Sequence, residues 1–369
     1  FLSLSYATLV PMNATALALI ARTLLGDFFQ KGFHYTVAGY DVYVGEILLA
    51  VVAIVLFAVL SIKGVKFAGT FQTLLTMALV LGVVVIAGTA LLSSKATIKN
   101  LTPTFVPDVS VWSGIFAVLA VAPWAFVGFD TVPQSAEEFR FSPRKTKLIM
   151  VVSIIFGGLI YVVLNTVTAA VVPERYGNWL EYICDLKNIN GLESLPTFNA
   201  AYELLGNVGL GCLGVAVLGA VLSGIIGFYM ATSRLLYSMA KERVIPMWFG
   251  KLDERHKTPE NAIFAVMCVS LIAPFFGRTA LGWLVDMSSL GAAIGYMYTS
   301  AAAFKYAKQA GNRRIMLTGL VGLVSAGIFA MLLLIPIHGL DCSLGKESYI
   351  CLVVWIAVGI YFFRKSNFQ

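Results

Sequence analysis

The stretch APWAFVGFDTVPQSAEEF, residues 122–139, places chemically active groups inside an apolar run. Pro123 and Pro133 lack the amide hydrogen that a helix needs, and Gly128 weakens the helix between them. Asp130 adds a carboxylate, which in a bilayer is costly and usually functional. Membranes tolerate a broken helix only where protein or a watery cavity satisfies the freed backbone groups. The stretch therefore predicts a discontinuous helix facing a site, with a kinked structural helix as the alternative.

The composition shows which elements must position this stretch. Of 369 residues, 59% are apolar and 12% are charged, against a charged share of about 25% in soluble domains. Most of the ten apolar runs reach the ~20 residues that a helix needs to cross ~30 Å of hydrocarbon. Strict period-two alternation, which a membrane β-barrel would show, is absent. We therefore expect an all-α polytopic membrane protein. The runs lie at about 1–25, 43–62, 67–93, 112–133, 147–171, 207–239, 258–276, 280–304, 313–337 and 347–363.

The net charge of +7 is distributed as in a membrane protein. When alternate loops are assigned to opposite sides, seventeen of the 26 lysines and arginines fall on one side and seven on the other. By the positive-inside rule, the first side and both ends of the chain face the cytoplasm. This distribution predicts a lipid bilayer as the surroundings and argues against a nucleic-acid partner.

Residues 172–206 form the one long loop, which falls on the outer side. A connection of this length usually has structure of its own, so we expect part of it to fold over the outer mouth. Cys184 and Cys342 are both predicted outside and could form a disulfide. Two cysteines leave that pairing open.

Signals for enzymatic chemistry, metals and cofactors are weak. His34, His256 and His338 lie in separate loops without the spacing of metal ligands. Residues 209–214, GLGCLG, match a dinucleotide glycine pattern, but no strand precedes them. Small residues there, and at GAAIG (291–295), instead let helices approach closely. The sequence therefore predicts a protein that is not an enzyme and has no cofactor or metal.

Two longer motifs resemble the amino acid–polyamine–organocation superfamily. FVGFDTVPQSAEEFRFSPRKTK, residues 126–147, is similar to that family's sixth helix and the loop after it. ATSRLLYSMAKERVIPMWFGKLDERHKTPENA, residues 231–262, is similar to its eighth helix and cytoplasmic loop. Ser142 and Arg243 depart from the family pattern, both at positions expected on the surface.

The resemblance implies a permease of twelve helices, built as a five-plus-five inverted repeat followed by two extra helices. The ten runs then correspond to helices three to twelve, and we expect the first two helices to be absent here. A ten-helix variant of the fold is the alternative. The implied units are residues 1–93, the remainder of the first repeat; 112–305, the second repeat with outer loop 172–206; and 313–363, the two extra helices.

The implied function is secondary active transport of amino acids or related amines across the cell membrane by alternating access. The resemblance places substrate contacts on two aromatic side chains, one polar side chain and the backbone at the break. These residues are Trp124, Phe228, Asn13, Phe126, Val127 and Gly128. It also implies an inner gate formed by Glu137, Glu138 and Arg140. The identity of the substrate, symport against antiport, and the oligomeric state stay open.

Asp130 is the proton-coupling candidate, because burial disfavours its ionised form. The alternative is that it caps the second half of the broken helix. Residues 70–82 contain no carboxylate for a cation and place Leu79 where some relatives have a lysine, which favours protons or exchange. Sodium coupling stays open, since Ser223 and backbone carbonyls could bind that ion. A channel is a weaker alternative, because no selectivity-filter repeat is visible.

Overall fold

The computed structural model describes residues 1–63, 65–138, 142, 144–189, 191–337 and 342–366. These residues form twelve α-helices, several 3₁₀ segments and one β-hairpin. The helices are α1 Leu2–Leu25, α2 Val44–Lys63, α3 Val65–Leu92, α4 Val111–Phe126, α5 Arg144–Ala170, α6 Trp179–Asp185, α7 Pro196–Leu205, α8 Asn207–Lys241, α9 Glu260–Ser270, α10 Arg278–Gln309, α11 Arg313–Leu334 and α12 Lys346–Ser366.

Each of the ten apolar runs contains one of these helices, and the described part includes eight helices long and apolar enough to cross a membrane. The two remaining runs form α9 and α10. A 3₁₀ segment containing Pro274 follows α9, where proline prevents regular helix from continuing. In α10, Asp286 accepts hydrogen bonds from Ser348 Oγ (2.6 Å) and the Gly345 amide (3.1 Å) at the start of α12. The expected all-α polytopic architecture is confirmed.

The centre of the bundle lies along α1 and α8. Helix α1 packs against α8 and α10, while α8 packs against α3. Glycines allow these close approaches, as the sequence predicts: a Cβ at Gly291 would lie 2.7 Å from the Phe1 carbonyl oxygen. At Gly209 a Cβ would collide with the Ala201 carbonyl. The Tyr229 hydroxyl, fully buried on α8, donates to the Ile54 carbonyl of α2 (3.1 Å).

The long loop 172–206 contains α6 and α7, so it is folded as expected, and α7 packs against α8 and α5. The Trp179 indole nitrogen donates to the Pro103 carbonyl (2.8 Å). Tyr176 Oη donates to Asp185 (2.5 Å), and this bond lowers the pKa of the Asp185 carboxyl. Cys184 is exposed on α6 and Cys342 is buried beside the Leu332 carbonyl; the structure has no disulfide between them.

A β-hairpin between α1 and α2 is the element that the sequence did not predict. Strands β1 His34–Val37 and β2 Tyr40–Tyr43 pair antiparallel. Their two-residue turn has positive φ at Ala38 (49°) and Gly39 (81°), which matches the twist of a tight hairpin. Tyr35 Oη donates to the Phe275 carbonyl (2.5 Å), and this bond joins the hairpin to the segment before α10.

Candidate functional site

The predicted interruption lies between Phe126 and Phe129. Helix α4 ends at Phe126, and a 3₁₀ segment runs over Phe129–Glu138. Val127 has a ψ of 129°, which is not helical, and Gly128 has a φ of 137°. Only glycine adopts that backbone angle without strain, so Gly128 permits the break. Pro133, inside the second half, has no amide hydrogen to donate and so weakens regular helix there as well.

The break leaves two carbonyls without a described partner. The Trp124 carbonyl accepts from the Val127 amide (3.1 Å), and the Ala125 carbonyl accepts from Tyr161 Oη of α5 (2.6 Å). The Gly128 carbonyl accepts from the hydroxyl (2.6 Å) and the amide of Thr131 (3.2 Å). Among the described residues, none donates to the carbonyls of Phe126 or Val127. Both residues are half-buried, so these carbonyls are available to a ligand or water.

The Asp130 carboxylate links the two sides of the break to α1. It is 8% exposed. Its Oδ1 accepts from the Gly128 amide (2.9 Å), and its Oδ2 accepts from the hydroxyl of buried Tyr6 (2.7 Å). Asp130 thus accepts from the Gly128 amide, which the break leaves without a helical partner. A capping residue would instead accept from amides that follow it, in the first turn of the helix.

Two tyrosines lie beside this carboxylate, and each packs against a further aromatic ring. The ring of Tyr6 lies 6.2 Å from that of Phe228 on α8, between centroids. The ring of Tyr296 on α10 lies 5.7 Å from that of Phe129, and Tyr296 is an electrostatic neighbour of Asp130. The structure therefore brings Asp130 to the break, and Phe228 is connected to them through the ring of Tyr6.

The other two predicted side-chain contacts, Asn13 and Trp124, lie on α1 and in the last turn of α4. Asn13 lies in the interface between α1 and α8, where it packs against Gly224, and its amide donates to the Leu9 carbonyl (2.7 Å). Trp124 is half-buried in the last turn of α4. The substrate contacts assigned to Asn13, Trp124 and Phe228 stay predictions.

The inner-gate prediction concerns Glu137, Glu138 and Arg140. The side chains of all three lie outside the described residues, and the backbone is described only to Glu138. The hydroxyl of Ser223, the residue considered for sodium, donates to the Ala220 carbonyl (3.0 Å). The Ser223 carbonyl accepts from Gln72 Nε2 of α3 (3.4 Å).

Sequence reasoning missed Tyr6, Tyr161 and Tyr296. Each is a tyrosine within one of the apolar runs, and a tyrosine hydroxyl removed from water usually finds a hydrogen-bond partner. That rule marks the three residues as candidates for a polar contact. The partner of Tyr6 is 124 positions away in sequence, however, so only the tertiary structure identifies it.

Comparison with known proteins identifies the class. The family described as "Amino acid permease" matches residues 1–359, nearly the whole chain. The chain belongs to this family. The permease is 27% identical over 303 residues to an uncharacterized transporter of Rhizobium meliloti (strain 1021), covering 81% of this chain and 59% of that protein. It is 24% identical over 269 residues to the branched-chain amino acid permease BcaP of Lactococcus lactis subsp. cremoris (strain MG1363), covering 72% and 54%.

A more distant match extends over half of the permease. It is 24% identical over 184 residues to the vacuolar cationic amino acid transporter 4 of Arabidopsis thaliana, covering 50% of this chain and 28% of that protein. The permease thus spans less than 60% of the length of each of these relatives. The relatives are named as transporters or permeases, which agrees with the expectation of a protein that is not an enzyme.

Proposed function

We propose that this permease carries amino acids or closely related amines across a membrane by alternating access. The observation that carries the proposal is the break in the helix, where the Phe126 and Val127 carbonyls have no described donor. Transporters use the ends of broken helices to bind charged substrate groups near the midplane. Two carbonyl oxygens without a described donor suit a substrate ammonium group, which has three hydrogen-bond donors and a positive charge.

The named relatives support the substrate class without choosing the side chain. One is named for branched-chain amino acids and another for cationic amino acids. These substrates share an ammonium and a carboxylate group, and the ammonium is what carbonyls at the break would recognise. In this proposal Trp124 and Phe228 supply aromatic contacts to the bound amine, and Asn13 a polar one.

The break also gives a physical basis for alternating access. Its two halves pack against different helices: α4 against α10 and α11, and the 3₁₀ segment against α5 and α8. Hinges absorb large backbone changes at a few residues, and Gly128 lies between the two halves. Tyr6 joins the 3₁₀ half to α1 through Asp130. Glu137 and Glu138 at the end of this segment, together with Arg140, would form the inner gate.

Coupling to protons, or simple exchange, fits Asp130 best. As a carboxylate it accepts both of its described hydrogen bonds, whereas a protonated carboxyl would lose part of that capacity. Proton binding would thus weaken a contact between α1 and the 3₁₀ segment. Sodium coupling is the alternative, with Ser223 and backbone carbonyls as ligands.

The charge distribution supports a cell membrane in which both ends of the chain face the cytoplasm. The β-hairpin and α6–α7 then lie on the outer side. The units 1–93, 112–305 and 313–363 would correspond to the remainder of the first inverted repeat, the second repeat and an additional helix pair. Superposing α4–α10 on α1–α3 in inverted orientation tests this division.

Uptake into proteoliposomes tests the function. The full-length gene product should accumulate at least one radiolabelled amino acid from a panel of cationic, neutral and aromatic substrates. Unlabelled substrate inside the vesicles should drive saturable counterflow of the labelled form, as a carrier requires and a channel does not allow. Lack of uptake across the panel by correctly folded protein would contradict the proposal.

A further inference from the structure

We propose that Tyr161 is a positioning residue for the substrate site. Its hydroxyl engages the Ala125 carbonyl and thereby leaves the carbonyls of Phe126 and Val127 as the acceptors that the substrate amine meets. The inference rests on the proposed function, and it adds a residue on α5 to a site built by α1, α4, α8 and α10.

The contact between Tyr161 and the last turn of α4 is specific in geometry. Tyr161 Oη lies 2.6 Å from the Ala125 carbonyl oxygen. Its ring packs edge-to-face on Phe126, with centroids 5.7 Å apart and planes at 81°. One turn earlier on α5, Gly158 lies beside the same ring, since a Cβ at Gly158 would be in ordinary contact with it at 3.8 Å. Hydroxyl and ring thus fix two consecutive residues of α4.

The hydrogen bond answers a need that the break creates. In a continuous helix the Ala125 carbonyl would accept the amide of Phe129, four residues later. The positive φ at Gly128 turns the chain away, so that bond is not made. Inside a membrane an unpaired carbonyl is unfavourable unless another group satisfies it. Tyr161 supplies the donor, so the Ala125 carbonyl is occupied before any substrate arrives.

Helix α5 also holds the two halves of the break in one arrangement. Its backbone packs against the 3₁₀ segment, while Tyr161 reaches the end of α4. Asn165 Nδ2 donates to the Tyr161 carbonyl (2.9 Å) one turn further along α5. Without the Tyr161 hydroxyl, the Ala125 carbonyl would compete for the ammonium and the end of α4 would lose a fixed point.

Tyr161→Phe tests the assignment, because it keeps the ring on Phe126 and removes only the hydroxyl. We expect the KM for a transported amino acid to rise about fivefold, the change that one neutral hydrogen bond supports. The maximal rate per folded molecule should change less than twofold, because the substitution affects only the binding of the substrate in its ground state. The N-methyl analogue of the substrate has one fewer N–H donor. For this analogue, the rise in KM caused by Tyr161→Phe should be smaller than the rise for the substrate itself.

Tyr298→Phe is the matched control, since Tyr298 is 69% exposed on α10 and should leave both constants unchanged. An equal rise in KM for the substrate and its N-methyl analogue, or an unchanged KM, would overturn the Tyr161 assignment and leave the proposed function intact. Absence of uptake by the unsubstituted protein would instead overturn the proposed function and this inference with it.

Discussion

Two buried carboxylates in this permease have opposite surroundings. Glu46, at the start of α2, is 3% exposed and binds the Arg22 guanidinium, with Nη2 and Oε2 2.7 Å apart. Asp130, at the broken helix, is 8% exposed, and its described hydrogen bonds come from neutral donors, the Tyr6 hydroxyl and the Gly128 amide. Among the residues that the structure describes, one carboxylate pairs with a full positive charge and the other accepts hydrogen bonds from neutral dipoles.

The Glu46 site joins several elements into one rigid unit. Arg22 Nη2 also donates to the Asp41 carbonyl of the hairpin (2.6 Å), and the guanidinium lies 4.5 Å from the centre of the Tyr40 ring. Burial raises the pKa of Tyr40 to about 12, although nearby Arg22 acts in the opposite direction. Tyr40 is therefore neutral at physiological pH. The hairpin is fastened to α1 and α2 by an ion pair whose charges balance.

The difference teaches which carboxylate can change state during transport. Protonating Glu46 would leave Arg22 without its counter-ion, which is costly at a partly buried site. Protonating Asp130 leaves no opposite charge unpaired among its described partners. We therefore expect Glu46 to serve folding and Asp130 to serve transport, and the following changes test that division.

The largest effect is expected for Glu46→Gln, which removes the counter-ion and keeps the side-chain size. The free energy of unfolding should fall by about 3 kcal/mol, near the lower end for a broken buried pair, because the Arg22 side chain is 23% exposed. Thermal unfolding of the purified protein measures the loss. Arg22→Met combined with Glu46→Met should recover most of it. Full stability of Glu46→Gln alone would contradict the assigned role.

Trp124→Ala tests the aromatic contact beside the break. Loss of apolar and cation–π contact with the substrate amine should raise the KM about tenfold, which corresponds to ~1.4 kcal/mol. Trp112→Ala is the control, since Trp112 lies on the same helix and is 67% exposed. Uptake with an unchanged KM at normal expression would show that Trp124 only packs against its neighbours and does not contact the substrate.

Tyr6→Phe should have the smallest effect of the three. It keeps the ring beside Phe228 and removes the hydrogen bond to Asp130. Weakening this link between α1 and the 3₁₀ segment should change the maximal uptake rate about threefold. That factor corresponds to a smaller free energy than a hydrogen bond to a charged group contributes in full. Initial rates at saturating substrate measure it. Identical rates would show that the Tyr6–Asp130 bond does not take part in the conformational cycle.

The helices and the break could be predicted from the sequence, because both depend on residues that are close together along the chain. Ten apolar runs correspond to ten helices, since spanning length depends only on consecutive residues. Pro123, Gly128 and Pro133 act on their own backbone, so the interruption could be predicted within a few residues. Gly209 and Gly291 likewise showed where helices approach closely.

The hairpin and the tyrosine contacts could not be predicted, because they depend on partners distant in sequence. Strands of four residues give little alternation to detect, and the turn needs a positive φ at Ala38, which its type does not suggest. Tyr161 meets Ala125 across 36 positions, and Arg22 meets Glu46 across 24.

The pH dependence of uptake by Asp130→Asn tests most directly whether Asp130 couples transport to protons. Asparagine retains an oxygen that can accept from the Tyr6 hydroxyl or the Gly128 amide, but it cannot titrate. In proteoliposomes with an imposed pH gradient, we expect the variant to bind substrate, to lose the pH dependence of uptake and to show no substrate-coupled proton movement. The Arg22→Met/Glu46→Met double variant should keep the normal profile. Asp130→Asn with the unsubstituted protein's pH profile and proton movement would contradict the account.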